Sequence, residues 1–343
     1  MFSRKRIQRG SALLATLLLA GCAGALDSLP KIGTEEPIRN SLSGRVGPDG
    51  PILVVKVDDT RAARPQIGLE DADIVYIEQV EGGLTRLAAV YSSTIPNIIG
   101  PVRSARISDI EILEQFGRVA FAYSGAQSKL LPVISKANLI DLGAQRQPSS
   151  IYSNDPLRNP PTAMIVQAKT LMAKVLESKE TIAVSTSPGW FFGEMPETGT
   201  IVDSVKVSWP AQSYEATWSR AQERWLLSNS GVPNISASGK QLGPTTFVIQ
   251  IVSITPSIYG DKFGGVTPFT STVGSGSGFI LRDSKAIAAK WSRPTAQEGT
   301  VWTTQDGEKI DFAAGQVWIA LTDRTPEFSY LAPSPSPSNS PTK

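Results

Sequence analysis

Two arginines three positions apart, Arg103 and Arg106, close the heptamer GPVRSAR at residues 100–106. A guanidinium carries a planar fork of donors that matches phosphate and carboxylate oxygens. The carboxylates Glu78 and Glu81 and a third arginine, Arg86, lie just ahead, and Arg158 lies further on. Arg86, Arg103, Arg106 and Arg158, with the Ser104 hydroxyl beside them, could hold an anionic ligand. The same arginines could instead pair with Glu78 and Glu81 and lock the chain to itself. A second acidic group, Asp58, Asp59, Glu70, Asp71 and Asp73, could take a hard cation or supply a general acid and base. It lacks EF-hand spacing, and acidic clusters of this kind usually form solvated turns. No metal site, cofactor or catalytic residue is therefore assigned.

The absent residue types narrow the chemistry further. There is no histidine, which excludes a Ser-His-Asp triad, a Cys-His dyad and any histidine-held metal within this chain. Ser104 and Ser124 lack a G-x-S-x-G elbow, and a base for either would have to be Lys129, Lys136 or a carboxylate. A carboxylate-driven hydrolase of envelope polymers, using Asp58, Glu78 or Glu81, stays as the alternative to anion binding. A structural or protein-interaction module is the third reading. No basic run speaks for nucleic acid.

The elements that must position these residues are readable from periodicity. The apolar run 52–57 reads as a buried strand. Runs 74–80 and 84–91 flank Glu81-Gly82-Gly83, a hairpin turn, and 119–123 is another buried strand. Ser108 and Glu111 have the S-x-x-E spacing of a capping box, placing a helix start, and its free N–H groups, beside Arg103 and Arg106. A second helix is expected from Pro161 to about Ser178, with Met164, Ala168, Leu171, Val175 and Leu176 on one face. Further on, Val205, Val207 and Trp209 alternate with polar residues, and 224–227 and 246–254 read as strands. The glycine-rich 274–278 is expected to join strands near Thr270 and at 279–282. Segments 286–291, 301–304 and 317–321 would complete an antiparallel meander, with Asp306-Gly307 as a hairpin turn. All seven tryptophans fall between Trp190 and Trp318, and Trp190 and Trp225 are the ones expected to be exposed, where they could stack on sugar rings. The fold class is thus α/β in the broad α+β sense: an N-terminal domain, 51–184, with a mixed sheet and helices, and a mainly antiparallel β domain, 185–325.

Both ends read as unfolded or processed. Arg4, Lys5, Arg6 and Arg9 precede an apolar run, 13–20. That run is shorter than the ~20 residues of a spanning helix and has the form of a signal peptide. It ends in Leu19-Ala20-Gly21-Cys22, which has the form of a bacterial lipobox; Cys22 is the only cysteine and makes no intrachain disulfide. Acylation of Cys22 with diacylglyceryl and palmitate chains would anchor the chain to the outer face of the cell membrane, its one expected partner besides an anionic wall polymer. Residues 23–50 read as a flexible tether and 326–343 as a Pro/Ser tail. The whole sequence has 33 basic and 31 acidic residues, but four basic and no acidic ones precede Cys22, so the processed chain carries net charge −2.

The stretch RPQIGLEDADIVYIE (64–78), then Glu81-Gly82, Thr85-Arg86-Leu87 and IGPVRSAR (99–106), resembles the N-terminal domain of the YerB-like lipoproteins. GSGFIL (276–281), Lys290-Trp291 and GQVWI (315–319) resemble the C-terminal domain of the same family. The likeness covers roughly residues 51–322. It implies a two-part α/β protein, exported and lipid-anchored in Gram-positive-type bacteria, and it implies no activity. Members often carry Pro-His-Asn after an arginine here represented by Arg158; this chain has Asn159-Pro160-Pro161-Thr162 and lacks the histidine.

Overall fold

A computed structural model describes residues 37–261 and 264–330. Cys22, the segment around it and the Pro/Ser run from residue 331 lie outside the described residues. In chain order the first part forms β1 (Leu53–Asp58), β2 (Ile74–Gln79), β3 (Thr85–Tyr91), β4 (Ile98–Ile99), α1 (Ile107–Glu114), β5 (Val119–Ala122), α2 (Leu131–Lys136), β6 (Leu139–Asp141), β7 (Tyr152–Asn154), β8 (Met164–Gln167) and α3 (Ala168–Glu177). Then come β9 (Thr200–Ile201), β10 (Ser204–Trp209), β11 (Gln212–Ser219), β12 (Arg224–Asn229), β13 (Val232–Pro233) and β14 (Thr246–Ile251). The last strands are β15 (Ser253–Gly260), β16 (Val266–Ser271), β17 (Gly274–Arg282), β18 (Lys285–Arg293), β19 (Val301–Thr303), β20 (Val317–Thr322) and β21 (Glu327–Ser329).

One mixed sheet organises the molecule, in the order β19-β18-β17-β14-β20-β2-β3-β1-β5-β6, with β9 added beside β18. It crosses the boundary expected at 184/185, because β20 sits between β14 and β2 and runs parallel to both. Segments 286–291 and 301–304 do pair antiparallel, in β17-β18-β19, but 317–321 does not close that meander: β20 leaves its chain neighbours to fill the centre of the sheet. All six of its residues are buried, as expected for a strand covered on both faces. A separate five-stranded sheet, β13-β12-β11-β10-β21, packs over one face.

Residue parity along the central strands sorts the core. Leu53, Val55 and Val57 of β1, with Val75, Ile77, Leu87 and Ala89, face α3 and the five-stranded sheet. Val54, with Ile74, Tyr76, Ala88 and Val90, faces Ile112 and Leu113 of α1 and Ile134 of α2. The next residues of this second parity are Lys56, Asp58, Glu78 and Arg86, so the α1 face turns from apolar to charged at one end of the three strands.

Several local expectations give way to tertiary pairing. The helix expected from Pro161 begins only at Ala168; Met164–Gln167 is β8, paired with β4 and β7. Ser108 and Glu111 do not form the capping box. Ser108 Oγ accepts from Thr270 N at 2.9 Å, and Glu111 accepts from Thr272 N at 2.6 Å, fastening α1 to the β16 end. Residues 37–50 are not a free tether: Leu42 is in the core, and buried Ser43 donates to Asp73 at 2.6 Å. Residues 327–329 of the expected tail pair with β10. Trp190 and Trp225 are 2% and 0% exposed, so neither presents a ring to a sugar. Trp190 stacks on Phe312 with centroids 5.0 Å apart, and Trp225 packs on Trp218 at 5.2 Å.

The glycines at 274–278 are inside β17 rather than between strands. Gly276 and Gly278 have neighbours too close for a side chain, whereas Gly274 has open space but a left-handed φ of +117°. A Cβ on Gly278 would lie 2.3 Å from Ile249 O and 3.0 Å from the Trp302 ring. The carbonyl belongs to paired strand β14 and has no room to retreat. Gly278→Ala is expected to cost about 1–3 kcal/mol, read as a lower urea midpoint at unchanged slope.

Candidate functional site

The charged end of the α1 face has a deep layer and a shallow one. In the deep layer Lys56 is fully buried and bonds both Glu78 and Asp109, the latter at 2.7 Å. Burial pushes the Lys56 ammonium down to about 8, against the pull of Asp109. Asp109 also accepts from Arg106 N at 2.7 Å. The first turn of α1 is thus capped by the chain's own carboxylate, where free N–H groups were expected.

In the shallow layer the strand register sets Arg86 opposite Asp58 of β1 and opposite Glu78 of β2. Neither carboxylate reaches it. Asp58 Oδ2 accepts from Arg103 Nε at 2.6 Å. Glu81 Oε2 accepts from Arg106 Nε and Nη2 at 2.9 and 2.7 Å. Arg86 is left with one bond, Nη1 to Ser104 O at 3.2 Å, and makes no ion pair among the described residues. Burial, then repulsion by Arg106 and Arg103, lowers its guanidinium to about 9. A buried cation held without a counter-ion is costly.

Arg86, Arg103, Ser104 and Arg106 form a wall of a cleft of about 910 Å³. Gln127 and Ser128, after β5, add amide and hydroxyl groups. Tyr259, Asp261 and Thr267 reach it from the β15–β16 hairpin, and Thr267 also donates to Glu81. Ser104 Oγ lies 3.5 Å from Ser124 Oγ, and neither Lys129 nor Lys136 lines the cleft. Glu78 is sealed below with Lys56. Arg158 stands outside the lining: it pairs with Asp155 at 3.0 Å and donates to the carbonyls of Ala63, at 2.8 Å, and Pro65. Arg158 therefore ties two loops together where the sequence had suggested a ligand contact.

Asp58 and its neighbour Asp59 point to opposite faces of β1. Asp59 is fully buried and accepts from Tyr214 OH at 2.7 Å, Gln212 Nε2 at 2.8 Å and Arg64 Nη2 at 3.1 Å. It joins β1 to the five-stranded sheet, and burial raises its carboxyl pKa. Asp73 is likewise spent, accepting from Ser92 N and Ser93 N at 2.7 and 2.8 Å.

Sequence reasoning missed Lys56 and Asp109. The signal for Lys56 was present: a lone charge in the apolar run 52–57 must find a buried partner. The partners Glu78 and Asp109 come from β2 and α1, a spacing no local pattern encodes.

Glu81 shows the pH consequence of this pairing. Burial raises its carboxyl, but the bonds from Arg106 and Thr267 outweigh it, so its pKa is held below the ordinary 4.5. A depressed carboxyl contributes stability that is present above its unfolded pKa and lost as pH falls through the folded one. Glu81→Gln is therefore expected to lower stability at neutral pH and to flatten its loss below about pH 4.5, measured by urea unfolding across an acid series.

The chain belongs to the DUF3048 family. Residues 41–181 match "Protein of unknown function (DUF3048) N-terminal domain", and residues 205–319 match its C-terminal domain. Among relatives, "Putative lipoprotein YerB" of Bacillus subtilis (strain 168) is 22% identical over 275 residues, covering 79% of this chain and 80% of the relative. The crystal structure of the Bacillus subtilis YerB protein has the same fold, with a TM-score of 0.72 at 21% identity over 85% of this chain and 99% of that one.

Proposed function

We propose that this chain is an extracytoplasmic lipoprotein, anchored through Cys22, whose arginine cleft binds an anionic ligand of the cell envelope. The observation that carries the binding reading is Arg86. It is buried at the cleft wall, it forms no ion pair with a carboxylate among the described residues, and repulsion by Arg106 and Arg103 exceeds the attraction of Glu81 and Asp58. An anion between Arg86, Arg103 and Arg106 would supply the missing counter-charge, with Ser104 and Ser128 as added donors. Wall-polymer phosphates and peptidoglycan carboxylates both have that chemistry.

The self-locking reading describes Arg103 and Arg106 well, since each already holds a carboxylate. It leaves Arg86 unaccounted for. The hydrolase reading needs two carboxyl groups facing the cleft; Asp58 and Glu81 are bound to arginines and Glu78 is sealed with Lys56.

The anchor is supported by the lipobox at Cys22 and by the lipoprotein name of the relative. Cys22→Ala is expected to move the chain from the membrane fraction to the soluble one. For the cleft, the full-length chain is titrated with a glycerol-phosphate oligomer and with an uncharged glycan of matched length. Preference for the phosphate oligomer, weakening as salt rises, supports the reading. Equal affinity for both contradicts it.

A further inference from the structure

A second cavity, of about 540 Å³, opens on the Asp59 side of β1 and shares no lining residue with the arginine cleft. Leu84, Val232, Pro233 and Ile235 give it an apolar wall. Three of these are large side chains left in water, with Leu84 37%, Val232 54% and Ile235 38% exposed. The opposite chemistry lies beside them. Arg61 is exposed on the lining, and its side chain has no hydrogen bond or ion pair among the described residues. Arg64 gives Nη2 to Asp59, but among the described residues its buried Nε has no partner, and neither has the buried Thr60 Oγ1. Gln212 and Asn229 add side-chain amides to the same lining.

We propose that this cavity binds the free C-terminal end of a peptide that carries an aliphatic residue. The aliphatic side chain lies against Leu84, Val232 and Ile235, where burial removes apolar surface from water. The terminal carboxylate takes Arg61 and the unpartnered Nε of Arg64. Gln212 Oε1 can accept from a peptide N–H, its Nε2 being held by Asp59. A polyanion fits less well, because Arg64 already shares its charge with Asp59 and Arg61 alone is uncompensated.

The test is isothermal titration of the full-length chain with N-acetyl-leucyl-alanine, its C-terminal amide and N-acetyl-glycyl-glycine. The free acid is expected to bind saturably, with amidation and loss of the leucine side chain each weakening it about tenfold. Arg61→Ala, which breaks no bond seen in the structure, is expected to remove the difference between acid and amide. Ile235→Ser is expected to remove the preference for leucine over glycine. Arg86→Met, in the other cleft, is expected to change none of these values, which separates the two sites. Equal binding of acid and amide, an unchanged Arg61→Ala variant, or no saturable heat into the millimolar range would each overturn the proposal.

Discussion

Arg86→Met is expected to weaken anion binding at the arginine cleft by roughly 100-fold, about 2.7 kcal/mol, while leaving the fold at wild-type stability or slightly above it. The two effects have separate causes. Binding would lose the one guanidinium in the wall whose charge is not shared with a carboxylate. Stability would lose one neutral-acceptor bond to Ser104 O, worth about 1 kcal/mol. Against that, methionine removes a desolvated cation that Arg106 and Arg103 repel, and replacing a buried charge with an apolar side chain is often neutral or favourable. Arg103→Ala and Arg106→Ala should behave differently. Each frees a carboxylate, Asp58 or Glu81, so each is expected to cost stability as well as affinity. Titration and urea unfolding of the three variants separate a residue kept for a ligand from residues kept partly for the fold.

Lys56→Met is expected to cost about 3–5 kcal/mol of folding stability. Methionine nearly matches the lysine in length, so the loss is electrostatic. Glu78 and Asp109 would remain buried without their shared cation. Their carboxyl groups would then be easier to protonate in the folded state than in the unfolded one, because burial disfavours the charged form. A group with a raised folded pKa stabilises the protein increasingly as pH falls. The deficit of Lys56→Met relative to wild type should therefore shrink from pH 7 towards the ordinary carboxylate range. Adding Glu78→Gln and Asp109→Asn should recover much of it at neutral pH. A deficit that stays constant with pH would point to lost packing instead.

These two residues also mark how far the sequence could be read. The hairpin through Glu81-Gly82-Gly83 and the strands around it were legible because their apolar runs are local and their turn chemistry is explicit. Parity alone would have put Lys56, Asp58, Glu78 and Arg86 on one face once those strands were aligned. It could not assign partners. Arg86 stands opposite two carboxylates in the register yet bonds to neither, because Arg103 and Lys56 hold them instead. Arg103 comes from the loop before α1, and Lys56 is a β1 residue held in turn by Asp109 of α1. β8 failed as a helix for the same kind of reason: pairing with Ile98–Ile99 outweighs local propensity. The position of β20 was least legible, since nothing in 317–322 announces that it will lie between β14 and β2.

A ligand role for the cleft requires that Arg86 be held for an anion. Isothermal titration of a glycerol-phosphate oligomer into the full-length wild-type and Arg86→Met chains, at one low salt concentration, tests this most directly. Saturable binding to wild type and a loss of roughly 100-fold in the variant, with both chains equally folded, is the predicted result. Equal affinity in the two chains would contradict it.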